Sequence, residues 1–224
     1  MPATWLNILA NIYEPLSIAT ACFVIADIVL AGHRQQMSIM NLVWPLTMLY
    51  WGPLGLPFYF WFGRAVRRHG SAAQHHAEIP MWQSVFKGAS HCGAGCALGD
   101  FAGDWLAFLT GFSVLGSGLG GRYALAFLFA YALGVAFQYG SIVPMRGMRP
   151  GQGLIAAVKI DTLSLLAYEI GMFIWMGLQS RIYPDLRPTS PTYWLMMQIA
   201  MLLGFATTYP VNWWLISRGT KEAK

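Results

Sequence analysis

The stretch His91-Cys92-Gly93-Ala94-Gly95-Cys96-Ala97-Leu98-Gly99-Asp100-Phe101-Ala102-Gly103-Asp104 decides how this chain is read. It sets an imidazole, two thiols and two carboxylates into what is otherwise a membrane-type helix. Polar and ionisable groups are costly in a bilayer, so they face the interior of a helix bundle and mark functional positions. At about 3.6 residues per turn, Cys92, Cys96, Asp100 and Asp104 drift slowly around one face. His91, Gly95, Gly99 and Gly103 form the neighbouring stripe, whose small residues let a second helix backbone approach closely. The candidate ligands therefore lie beside a tight helix–helix contact.

Composition supports that reading. Of 224 residues, 56% are hydrophobic and 10% charged, where a soluble domain has about 25% charged. The expected fold is all-α: a polytopic membrane protein of about six transmembrane helices, forming a single domain over residues 1–224. The net charge of +5 reads as a topology signal and not as a nucleic-acid footprint. No cleavable signal peptide is expected, because Met1 to Leu6 has no basic region. Three cysteines, two of them together in mid-helix, do not make a secreted disulfide framework.

A spanning helix takes about 20 mostly apolar residues. The expected segments are Pro15–Ala31 (starting as early as Trp5), Met40–Phe62, Trp82–Phe112, Tyr123–Val143, Leu154–Leu178 and Tyr193–Ile216. With six spans, the connections carrying Arg64, Arg67, Arg68, Arg146, Arg149, Arg218, Lys221 and Lys224 share a side. Arg34, Arg122, Arg181 and Arg187 fall on the other. The positive-inside rule then predicts that both termini are cytoplasmic.

Cys92 and Cys96 sit one turn apart, and two thiolates at that spacing suit a soft or borderline ion such as Cu(I) or Zn(II). His91 points about 100° away from Cys92. The fifth segment supplies a facing set, because Asp161, Leu165, Glu169, Met172 and Met176 share one helical face. Carboxylates buried in apolar helices need partners or protons. The predicted metal set is therefore His91, Cys92, Cys96, Asp100, Asp161 and Glu169. The plainer reading of the thiols and methionines is core packing. Thr162 and Ser164 are expected to bond back to their own helix. Asp27 is expected to pair with Lys87 or Arg34. Lys87 and Lys159 are expected to snorkel to the interface, and His75-His76 reads as a solvated loop pair. Tyr209-Pro210-Val211-Asn212-Trp213-Trp214 reads as a kinked helix end with an aromatic belt, from which Asn212 can reach inward.

The pattern His-Cys-x3-Cys-x2-Gly-Asp at His91 to Asp100 resembles an uncharacterised bacterial membrane family, a domain of unknown function (four-three-nine-six). So do Gly32-His33-Arg34-Gln35-Gln36-Met37 with Asn41-Leu42-Val43-Trp44-Pro45, Asp161-Thr162-Leu163-Ser164 with Glu169, and Pro210-Val211-Asn212-Trp213-Trp214-Leu215-Ile216. The resemblance implies an integral protein of the bacterial inner (cytoplasmic) membrane, and members are sometimes labelled in connection with copper proteins. It implies no established activity. From the residues, the leading expectation is a membrane protein that binds, transports or delivers a soft metal ion, copper or else zinc. The alternatives are a proton-coupled permease using Asp100, Asp104, Asp161 and Glu169, and a structural subunit held to a protein partner or a second copy by Gly95, Gly99 and Gly103. No Walker loop, GxSxG turn or HExxH motif is present, so an enzyme is not expected.

Overall fold

The structure is a computed structural model that describes residues 3–35, 37–65 and 79–221, with the side chains of 144–146 outside that description. Among these residues the chain is helical, with no strand beyond one bridge between Val114 and Ser117. Six helices of 12 residues or more build it: α1 Thr4–Val29, α2 Met40–Trp51, α3 Met81–Thr110, α4 Gly118–Arg146, α5 Pro150–Ile182 and α6 Pro191–Ser217. Three of them, α1, α4 and α6, are long and apolar enough to cross a membrane. The surface bears out this membrane character. Along α5, Leu163, Ile170 and Ile174 face outward at 45–66% exposure, while Asp161, Ser164 and Glu169 face inward. That polarity is the reverse of a soluble helix.

The small-residue stripe does what its spacing predicts, and its partner is α4. A Cβ added at Gly99 would lie 2.3 Å from the Ala130 Cα, one at Gly103 2.6 Å from the Ala126 Cα, and one at Gly95 2.9 Å from the Gly134 Cα. The two backbones touch over two turns, so no side chain fits between them. Helices α5 and α6 approach similarly at Gly171 and Gly204. There Thr207 Oγ1 donates to the Ala167 carbonyl at 2.6 Å and Thr208 Oγ1 to that of Ser164 at 2.7 Å.

The second hydrophobic run does not cross the bundle. After α2 the chain turns through a 3₁₀ segment, Gly52–Gly55, and comes back as a distorted helix that ends in a π turn over Tyr59–Gly63. Its return leaves Trp44 beside Tyr59 and Phe62, with ring centroids 5.5 and 6.0 Å apart. The Gly63 carbonyl accepts from Gln35 at 2.6 Å, and Arg64 reaches Asp27 near the end of α1. The hairpin thus starts and finishes at the same end of the bundle. Its 12-residue descent covers roughly 18 Å, about half of a bilayer.

A helix that ends at that depth leaves carbonyls with no water to bond. Two side chains answer them: Tyr13 Oη donates to the Trp51 carbonyl at 2.8 Å, and Gln198 Nε2 to the Leu49 carbonyl at 2.7 Å. Gly52 turns the chain with φ +56°, and a Cβ there would meet Ser17 Oγ at 2.7 Å.

The expectation of six crossings is corrected by this hairpin. Thr192 at the start of α6 donates to Asn7 at 2.5 Å, so α1 begins beside the start of α6. Lys221, just past α6, lies at the other end. A run that goes in and comes back adds no crossing of the bundle, and the start of α1 lies at the bundle end opposite Lys221.

Replacing Gly99 with Val forces the α3 and α4 backbones apart. It is expected to lower stability by about 3 kcal/mol, the upper end for overpacking. Gly118→Ala, where nothing lies within 4 Å, is expected to change the melting temperature in detergent little. Equal melting curves for both variants would contradict the close contact.

Candidate functional site

Cys92 on α3 meets Asp161 on α5, the thiol donating to Oδ1 at 3.4 Å. Both residues are 0% exposed. The spacing argument from sequence thus brings this pair together as expected, and the third member comes from outside the predicted set. After α6, Gly219 takes φ +67°, and the amides of Thr220 and Lys221 bond back to the Leu215 carbonyl at 3.0 and 3.2 Å. The turn drives the Lys221 side chain into the bundle, where it is completely buried. Its ammonium donates to Ser164 Oγ at 3.1 Å, Cys92 Sγ at 3.3 Å and Asp161 Oδ1 at 3.5 Å. An ammonium has three protons and here has three acceptors, one of them the carboxylate that balances its charge.

The path of the lysine is set by Gly88 of α3, where an added Cβ would sit 3.9 Å from Lys221 Cε and 3.8 Å from Asn212 Cγ. Asn212 in turn accepts from Ser164 at 2.9 Å and donates to Thr208 Oγ1 at 3.3 Å. Ser164 therefore bonds across to α6, and not back to its own helix as its sequence context predicts. Thr162 does bond back, to the Val158 carbonyl at 2.5 Å.

The other predicted ligands fall into separate places. Cys96 is buried and faces Glu169 and Asp100. The carboxylate oxygens of Asp100 and Glu169 are buried and accept no hydrogen bond of ordinary length among the described residues. His91 turns its ring edge-on to Phe137 of α4, with centroids 6.0 Å apart, as its angle from Cys92 requires. Tyr50 and Tyr168 press their hydroxyls over Gly93, 2.5 and 2.7 Å from where a Cβ would stand. Met172 and Met176 are core residues. Among the described residues no three His, Cys, Asp or Glu side chains converge as a metal-binding group. The predicted set of His91, Cys92, Cys96, Asp100, Asp161 and Glu169 is thus split three ways: Cys92 and Asp161 in a lysine-filled slot, Cys96, Asp100 and Glu169 in a thiol–carboxyl cluster one turn along, and His91 turned toward α4.

Two further ionic clusters sit toward the bundle ends. Asp104 pairs with Arg122 Nε at 3.3 Å and accepts from Tyr193, over whose ring the guanidinium lies at 5.0 Å. Asp27 is gripped by Arg64 at 2.5 and 2.9 Å, by Tyr59 at 2.8 Å and by His33 at 3.3 Å. That corrects the expected pairing with Lys87 or Arg34, because the returning hairpin carries Arg64 to the end of α1. Lys159 is exposed, as expected of an interfacial lysine, and Lys87 is half-buried. His75-His76, with Arg67, Arg68 and Lys224, lie outside the described residues.

Residues 81–221 match the family described as a domain of unknown function (DUF4396). The chain belongs to that family. The matched region begins with α3 and closes on Lys221, so it encloses every group of the central slot. Helix α1, the hairpin and the Gly32–Pro45 similarity lie outside it. No curated protein and no solved structure matches the chain.

Breaking a buried ion pair by removing one partner typically costs about 3–5 kcal/mol. Lys221→Met and Asp161→Asn are each expected to destabilise by that order, and the double variant by clearly less than their sum. Unfolding in detergent measures all three; strictly additive losses would mean that the pair is not coupled.

Proposed function

We propose that the chain is an integral protein of the bacterial inner membrane that handles a soft cation as cargo, Cu(I) first and Zn(II) second, at the slot between α3 and α5. The observation that carries this reading is the slot's own occupant. A thiol, a carboxylate and a hydroxyl already hold a desolvated cation, the Lys221 ammonium, at 3.1–3.5 Å. A thiolate and a carboxylate are left for an ion once the lysine withdraws, and thiolate selects for Cu(I) or Zn(II) over hard ions. Cys96, one turn along α3 beside Glu169, supplies the next soft donor. Lys221 then acts as a tethered competitor: it neutralises Asp161 while cargo is absent and leaves on a turn held by two backbone hydrogen bonds.

The orientation of this reading follows from the five long helices crossing the bilayer and the hairpin dipping into it. The end with Arg34, Arg64, Arg149, Arg218 and Lys221 is then cytoplasmic, with Arg67, Arg68 and Lys224 on the same connections, and Arg181 and Arg187 face the other side. The C-terminus is cytoplasmic and the start of α1 is not. Reporter fusions at the two ends are expected to report opposite sides; the same side for both would remove this topology.

Metal binding is expected to be near-stoichiometric for Cu(I) in the purified protein and lost in Cys92→Ala/Cys96→Ala. It should be about tenfold or more tighter in Lys221→Met, because the competitor is gone. Elemental analysis and Cu(I) competition titrations measure these, and equal metal content in the wild type and the double-cysteine variant would end the reading.

A second reading, a proton-coupled carrier, is favoured by Asp100 and Glu169 lying buried beside Cys96 with no ion pair to either carboxylate among the described residues. It is distinguished by Glu169→Gln abolishing pH-gradient-driven flux in vesicles while the double-cysteine variant keeps it.

A further inference from the structure

Helix α2 stands between α1 and α3. Tyr13 of α1 caps its last turn at the Trp51 carbonyl, and its own Tyr50 lays a hydroxyl over Gly93 of α3. Its descent of roughly 18 Å covers little more than half of about 30 Å of hydrocarbon. Beyond that end, α1 and α3 flank a cavity of about 460 Å³, within the usual range of a ligand pocket. Leu49 and Tyr50 roof it, Trp194, Met197 and Met201 of α6 back it, and the 188–191 connection closes it at the bundle end away from Lys221. Ile18 of α1 and Phe101 of α3 line its two sides and are each 54% exposed. It therefore opens sideways between those two helices.

Polar capacity in the deep part of this cavity is already spent. Gln198 gives its amide protons to the Leu49 carbonyl at 2.7 Å and to Glu14 Oε2 at 3.3 Å. Ser17 donates to the Tyr13 carbonyl at 2.9 Å, and the Trp194 indole to that of Pro188 at 2.7 Å. Glu14 Oε1, Gln198 Oε1 and Tyr50 Oη are buried, with no surface toward the cavity. An occupant at that depth therefore meets carbon and thioether surface. Thr189 and Ser190 supply hydroxyls at the bundle end.

We propose that this cavity holds one acyl chain of a phospholipid from the leaflet away from Lys221, with the ester end of that lipid beside Thr189 and Ser190. The inference rests on the bilayer location given above. An apolar cavity stays dry, and left empty it forfeits the dispersion contacts of its walls. Hydrocarbon entering between Ile18 and Phe101 restores them. A plain chain fits where an isoprenoid quinone does not, because the ring carbonyls of a quinone would find no donor at the depth of α2. Seated there, the chain fills the part of the α1–α3 gap that the hairpin leaves open, and it keeps water from the end of α2.

Photolabelling of the full chain in vesicles of phosphatidylethanolamine and phosphatidylglycerol tests this. The probe is phosphatidylethanolamine with a diazirine at the end of one acyl chain, and peptide mass spectrometry locates the adducts. They are expected on Met197 and Met201, which are 5% and 4% exposed and so out of reach of lipid on the outer surface, as well as on outward-facing Ile170 and Ile174. Ala97→Phe, which fills the cavity, is expected to lose the Met197 and Met201 adducts and to keep those on α5. Should that variant not fold, a diazirine placed next to the ester decides the matter, because it is expected to move the cavity adducts to Thr189 and Ser190. Adducts confined to outward faces would overturn the proposal and leave the membrane location standing. Unchanged Met197 and Met201 labelling in a folded Ala97→Phe, cavity adducts that do not move with the probe, or a stoichiometric quinone extracted from the purified protein would overturn it as well.

Discussion

The absence of water around buried polar groups is the constraint on which this architecture turns. In a bilayer every backbone carbonyl and every charge must find its partner within the protein. The hairpin meets that demand with Tyr13 and Gln198, whose side chains replace the water that would cap α2 at a surface. The Lys221 ammonium meets it with three acceptors drawn from α3 and α5. Asp104 meets it with Arg122 and Tyr193, and Asp27 with Arg64, Tyr59 and His33. Each of these clusters joins at least two elements, so the polar groups fix how the helices sit as well as what they can bind.

Helix α3 divides the labour by its faces. Its glycine stripe is pressed on α4, where two backbones in contact leave no freedom to slide without opening a gap. Its Cys92 face looks across to Asp161 and the tail lysine, and its Cys96 face to Glu169. A tight helix–helix wall thus stands behind the buried polar groups. What fills the slot arrives on a turn after α6 whose glycine, Gly219, sits in the left-handed region.

Part of this was legible beforehand for a simple reason. Periodicity on a single helix is a local property, so the glycine stripe of α3 and the deflection of His91 followed from angle alone, while Asp161 was offered only as one member of a facing set. The hairpin did not follow. A run of 24 residues from Met40 to Gly63 has the length and apolarity of a crossing, and hydropathy cannot tell one pass from two half-passes. Its interruption by Gly52-Pro53-Leu54-Gly55-Leu56-Pro57 was the signal available, since glycine and proline together break helices. Misreading it displaced Arg64 from Asp27.

By itself, the sequence determined that the chain is helical, that the carboxylates within its third and fifth segments face inward, and that its third segment packs on another helix by small residues, because these depend only on composition and on 3.6 residues per turn. Tertiary structure alone decided which cation stands beside Cys92 and where the second hydrophobic run turns. Lys221 is 129 residues from Cys92, and no spacing rule spans a contact made by the chain folding back on itself.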